Sequence, residues 1–147
     1  MKWVNSIAEL KEEAEKILYG EDLKKEIGEE VKKKIIRHAK DDVLGVYSPV
    51  KYKRRKNGLG SKENIEIEMQ KYGVFVKDST GISDPIVPKD GVNYSSYRLG
   101  NIVQQGAYPL FGSKSDIYNS PRPYMDNAAK DLQNNPEKIM KAIKKRF

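Results

Sequence analysis

The stretch Ile65-Glu66-Ile67-Glu68-Met69-Gln70, continued by Lys71-Tyr72-Gly73-Val74-Phe75-Val76-Lys77, decides the fold. Ile65, Ile67 and Met69 alternate with Glu66, Glu68 and Gln70, so a period of two puts the apolar set on one face and the polar set on the other. That is the pattern of a half-buried strand. Tyr72 to Lys77, with Val74, Phe75 and Val76, reads as its partner, and Gly73 as the bend between them. On either side the hydrophobic period becomes that of a helix. Helices, then a few strands, then helices make an α+β protein the natural class.

Upstream, Trp3, Ile7, Leu10, Ala14, Ile17 and Leu18 form one apolar stripe, and Ser6 with Glu9 three residues on makes a capping box. Gly20 is the expected stop. A longer helix is predicted from Glu21 to Leu44. Its apolar positions Leu23, Ile27, Val31, Ile35, Ala39 and Val43 recur every four residues, so the stripe spirals slowly around a helix of 3.6 residues per turn. Gly28 interrupts it at a cost of up to about 1 kcal/mol against Ala, which marks a close approach or a kink.

Between this helix and the hairpin, Val46 to Gly60 mixes aromatics, turn residues and a basic cluster, and Asn57-Gly58 is a turn signal. Downstream, Asp78 to Tyr94 reads as a long polar loop, with Pro88-Lys89-Asp90-Gly91 as a β-turn. Leu99 to Gln105 is a short strand or helix start closed by Gly106. Ser120-Pro121-Arg122-Pro123 opens a helix carrying Tyr124, Met125, Ala128, Ala129 and Leu132. Asn135 as cap and Pro136 in the first helical position start a last helix, with Ile139, Met140, Ile143 and Phe147 on one side. The 147 residues suit one domain, divided into a helical part (1–45), a strand-and-loop part (46–120) and the C-terminal helices (121–147).

Composition narrows the chemistry. The chain has no cysteine and one histidine, which excludes disulfides, thiolate sites, a Cys nucleophile and any multi-His metal centre. No apolar run approaches the roughly 20 residues of a membrane span, and acidic residues follow the N-terminus too soon for a signal peptide. A soluble, cytoplasmic product is expected. The net charge of +7 is uneven: residues 1–46 carry −1 and residues 47–147 carry +8. Either the molecule is bipolar and its two regions meet different partners, or this is ordinary solubilising charge.

No enzymatic constellation emerges, and no cofactor or metal site is expected. His38 lies beside the apolar stripe of the long helix without a nucleophile motif and reads as a boundary histidine. Asp41-Asp42 point about 100° apart on a helix and are not a metal site alone. Glu66 and Glu68 read as a solvated strand face, and Gly58-Leu59-Gly60-Ser61-Lys62 lacks the spacing of a phosphate loop. The basic cluster Lys51, Lys53, Arg54, Arg55 and Lys56 is more informative because Tyr47 and Tyr52 interleave with it. Cations beside aromatics hold phosphates and stack bases, and they equally anchor an acidic protein neighbour. Lys138, Lys141, Lys144, Lys145 and Arg146 add a second basic cluster.

Three pieces of the chain resemble the tail-completion, or head–tail joining, proteins of long-tailed phages and phage-tail-like particles, the neck or minor tail components. The first is the charged helix running into Val46-Tyr47-Ser48-Pro49-Val50-Lys51-Tyr52-Lys53-Arg54-Arg55, then Gly58-Leu59 and Asn64-Ile65. The second is Leu99-Gly100-Asn101-Ile102-Val103-Gln104-Gln105-Gly106, although Gln104-Gln105 stand where that family often carries an acidic residue. The third is Arg122-Pro123-Tyr124-Met125 with Ala128, similar to an Arg-Pro-Phe-aliphatic signature that leads into a terminal helix. Pro123 suits a first helical turn, Arg122 is placed to reach a neighbour, and Tyr124 and Met125 anchor the helix on the sheet.

The resemblance implies a small curved antiparallel sheet packed by a long N-terminal helix and a C-terminal helix. It implies a structural virion component that is not an enzyme: a homo-oligomeric ring, of six copies, at the neck or tail terminus. Its partners would be the neighbouring connector and the tail-tube or terminator proteins, with transient DNA contact and no membrane. The candidate interface or DNA-lumen residues are Tyr47, Lys51, Tyr52, Lys53, Arg54, Arg55, Lys56, Arg122, Pro123, Tyr124 and Met125, together with the loop at 78–94. The alternative is a small basic nucleic-acid-binding protein using Tyr47, Tyr52 and the 51–56 cluster.

Overall fold

The structure, a computed structural model, describes residues 6–45, 58–80, 103 and 122–147. Helix α1 spans Ile7–Leu18. The Ser6 hydroxyl accepts a hydrogen bond from the Glu9 backbone N–H at 3.2 Å, which is the cap read from the sequence. Gly20 does more than stop α1. It is also the N-cap of α2, Glu21–His38, so the two helices follow each other almost without a loop. Glu21 and Asp22 in the first turn of α2 and Arg37 and His38 in its last complement the helix dipole.

The helical run continues to Leu44, as its periodicity predicts, but the last turn is wider. Ala39–Leu44 is π-helical, and the Gly45 N–H closes it onto the Lys40 carbonyl at 2.6 Å. Leu23, Ile35, Ala39 and Val43 of the four-residue stripe are buried, and Ile27 and Val31 are half-buried.

Strands β1 (Ile65–Gln70) and β2 (Gly73–Asp78) pair antiparallel, with Ile65 opposite Asp78, Ile67 opposite Val76 and Met69 opposite Val74. The bend falls at Lys71-Tyr72, and Gly73 begins β2. The strand also extends one residue past Lys77. Asp78, expected at the head of a polar loop, therefore shares the inward face with Ile65 and Val76 and is buried. Glu66, Glu68, Phe75 and Lys77 share the other face.

Helix α2 crosses the inward face at Gly28. A Cβ built there would lie 2.7 Å from Ile67 Cγ2 and 3.1 Å from Val74 Cγ2, so the glycine marks a close approach. Gly60 does the same for the π-helical turn. Its φ is +77°, and a Cβ on it would meet Ala39 Cβ at 3.2 Å. The Gly58-Leu59-Gly60 segment is a buried packing turn.

Helices α3 (Tyr124–Asn134) and α4 (Glu137–Lys144) complete the described fold. Pro136 is the N-cap of α4. Asn135, expected to cap it, instead turns its amide back onto Asp131, donating to the backbone O at 3.2 Å and to Oδ1 at 2.9 Å. Ile35, Ala39, Val43, Leu59, Ile65, Val76, Val103, Tyr124 and Ala128 form the core between α2, the hairpin and α3. The protein is thus α+β and mostly helical, its small antiparallel sheet covered by the long helix and the C-terminal part. Helix α1 contributes no buried residue.

Candidate functional site

The Arg122-Pro123-Tyr124-Met125 segment ties the C-terminal helices to the hairpin. Pro123 caps α3, and the Arg122 N–H donates to the Val103 carbonyl at 2.9 Å. Tyr124 is 0% exposed, and its hydroxyl donates to Asp78 Oδ2 at 2.7 Å. The other oxygen of Asp78 accepts from the Thr80 backbone N–H at 2.8 Å and from the Thr80 hydroxyl. A buried carboxylate is tolerated only when satisfied in this way. Burial, then the neighbouring Asp78 charge, pushes the Tyr124 hydroxyl far above the ordinary tyrosine range. Tyr124 is thus an anchor of α3 on the hairpin, as the motif predicts. Met125 packs half-buried against the core, and Pro123 is exposed. Arg122 carries a buried Nε that lacks a hydrogen-bond partner among the described residues.

A second polar cluster joins α2 and its π-helical turn to α3. His38 Nδ1 lies 2.8 Å from Asp42 Oδ2, and Nε2 lies 3.1 Å from Asp131 Oδ2. Lys34 Nζ reaches the same Asp131 oxygen at 2.9 Å, and Asn127 Nδ2 donates to Asp42 Oδ2 at 2.9 Å. His38 is therefore a boundary residue with both ring nitrogens engaged. Asp42 belongs to this cluster, while Asp41 faces outward to Arg37 at 3.4 Å. The hydrogen bond from Lys34, then that from His38, lowers the Asp131 carboxyl to about 2. Among the described residues no group of three or more acidic, His or Cys side chains could hold a metal ion.

Exposed apolar side chains lie elsewhere on the described surface. On α1, Ile7 is 86% and Leu10 42% exposed, and Leu18 continues the strip. At the hairpin tip Tyr72 packs edge-on against Tyr19, with centroids 5.2 Å apart, and Lys71 Nζ sits 4.9 Å over the Tyr72 ring. Lys24 Nζ secures this end by donating to the Gln70 carbonyl at 2.8 Å. On the outer sheet face Lys77 lies between Glu66 and Glu68, which raise it above the ordinary lysine range, beside a half-exposed Phe75. At the C-terminus Met140 and Phe147 are each nearly half exposed. Helix α4 rests on α2 through Ala142, with Arg146 on Glu26 at 2.7 Å and Lys138 on Glu30 at 3.6 Å. Lys141, Lys144 and Lys145 have no ion-pair partner among the described residues.

The basic cluster at 51–56 with Tyr47 and Tyr52, and positions 81–94 of the expected contact loop, lie outside the described residues. Of the sequence-predicted site, the structure places Arg122 to Met125 at the junction of α3 with the hairpin. The open face of α1 was legible only as an amphipathic stripe, which shows that a face is apolar and not what covers it. No helix among the described residues is long and apolar enough to cross a membrane. The family model YomN matches residues 6–147. No curated protein and no solved structure matches the chain.

Proposed function

The chain belongs to the YomN family, a family of phage origin, and from that premise we propose that it is a structural, non-catalytic part of a phage tail or phage-tail-like particle. In this reading it forms a homo-oligomeric ring of six copies at the neck, where it joins or completes the tail between the connector and the tail-tube or terminator proteins. The observation that carries the reading is α1. Twelve residues form an amphipathic helix of which none is buried, although Ile7, Leu10, Ala14 and Ile17 line up along it. Ile7 and Leu10 stay exposed and Ala14 and Ile17 only half-buried among the described residues, and an exposed apolar helix face is a surface suited to a neighbour. Ring closure requires a heterologous contact whose rotation closes, and the chain offers distinct surfaces at α1, the hairpin and α4 for it.

The test is native mass spectrometry of the purified protein and of isolated particles, with a low-salt titration of duplex DNA. A closed ring, or a fixed copy number co-purifying with tails, is the expected result. A monomer absent from particles that binds DNA tightly, with affinity falling steeply as salt rises, would overturn the reading in favour of a nucleic-acid-binding protein.

A further inference from the structure

We infer that α1 of one copy lies on α4 of the next, and that this contact propagates the ring; the inference rests on the ring reading above. Both helices present an apolar seam. On α1, Ile7, Leu10, Ala14 and Ile17 fall at alternating spacings of three and four residues, the spacing of a seam that packs against another helix. On α4 and the residues after it, Met140, Ile143 and Phe147 repeat at three and four, with Met140 and Phe147 nearly half exposed. At about 1.5 Å per residue the α1 seam runs roughly 15 Å, and Phe147, just past the end of α4, extends the second seam beyond the helix.

Charge chooses the pairing. Helix α1 carries four glutamates against two lysines, a net of −2. Residues 137–147 carry five cations against Glu137, a net of +4. Glu26 and Glu30 of α2 already engage Arg146 and Lys138, which leaves Lys141, Lys144 and Lys145 for an outside partner. Packing α1 on α1, or α4 on α4, would set like charges against each other, and like-charge juxtaposition is how interfaces reject a wrong partner. Packing α1 on α4 sets opposite charges around two apolar seams. Because the two surfaces differ, each copy keeps one of each free after a first contact. That is the heterologous arrangement that builds rings.

The absence of native cysteines makes the contact directly readable. Leu10→Cys and Met140→Cys sit at partly exposed positions, so neither disturbs the core. A chain carrying both is expected to give, on mild oxidation, a ladder of covalent multimers ending at the ring size. Each single variant should give no covalent cross-link, and an equimolar mixture of the two should stop at a covalent dimer. Lys141→Glu, Lys144→Glu and Lys145→Glu together should cut ladder formation at low salt by about tenfold or more, with an unchanged melting profile by circular dichroism. A dimer from Leu10→Cys alone, a double variant that stops at two copies, or a ladder indifferent to the charge reversal would overturn the inference. Rings seen by native mass spectrometry without any cross-link would overturn this contact and leave the ring reading standing. Monomer throughout, in solution and in particles, would overturn both.

Discussion

Gly28 of α2 sits directly against Ile67 of β1: a Cβ on Gly28 would stand 2.7 Å from Ile67 Cγ2. The approach lets α2 settle on the inward face of the hairpin. Neither neighbour gives way easily, because Ile67 and Val74 are β-branched and stiff at χ1.

Gly28→Ala therefore tests whether packing outweighs helix propensity at this crossing. Ala is better than Gly in a helix interior by about 1 kcal/mol, whereas overpacking costs about 1–3 kcal/mol. Net destabilisation is expected, read as a lower urea midpoint. Ile67→Ala removes the obstructing methyl, so the double variant should lose less than the sum of the two single changes. Simple additivity would show that the two sites do not meet.

Tyr124→Phe isolates the hydroxyl that reaches Asp78 without altering the packed ring. The hydrogen bond goes to a buried carboxylate, a class that contributes about 1.5–3 kcal/mol. A loss of that order is expected in urea unfolding. Asp78→Asn should remove much of the same energy, and adding Tyr124→Phe to it should cost little more. A Tyr124→Phe variant as stable as the parent would show that the Thr80 contacts alone satisfy Asp78.

Most of the scaffold is legible in local sequence because its signals are local. The alternation at Ile65–Gln70, the spiral stripe ending at Val43 and the Ser6 cap each depend on residues a few positions apart. The places where expectation and structure part company depend on distant partners. Asp78 is inward-facing because β2 runs one residue past Lys77 and Tyr124 waits 46 residues later. His38 meets Asp131 across 93 residues. Asn135 turns back to Asp131 because that carboxylate is already fixed by Lys34 and His38. The π-helical widening after His38 has no signature in spacing, since Ala39 and Val43 also continue a perfect four-residue pattern. For the candidate site, the stripe of α1 is readable, while its exposure among the described residues is not.

Gly60→Ala probes the turn that seats against the π-helical segment. A left-handed φ of +77° costs a residue with a side chain roughly 1–2 kcal/mol, and the new Cβ would also crowd Ala39 Cβ at 3.2 Å. The variant should unfold at lower urea concentration than the parent. Gly60→Asn should be milder, because Asn tolerates that backbone region better. Equal losses would assign the cost to crowding against Ala39 alone.

The Asp131 cluster makes a specific acid-side prediction. Lys34 first, then His38 and Asn135, hold the folded-state carboxyl at about 2, below its ordinary value of 3.8. A carboxyl whose folded pKa is depressed binds its proton more readily in the unfolded chain, so protonation favours unfolding. The stabilisation is therefore complete above the ordinary value and drains away as pH falls from about 3.8 to about 2. Other carboxylates titrate over the same range, so the informative quantity is the difference between the parent and Asp131→Asn. That gap in urea-unfolding stability should narrow through this window and close once the parent is protonated. Lys34→Met should move the narrowing to higher pH, since the strongest partner of the carboxylate is gone. A gap that stays constant from pH 5 to pH 2 would show that the α2–α3 junction does not depend on the Asp131 charge.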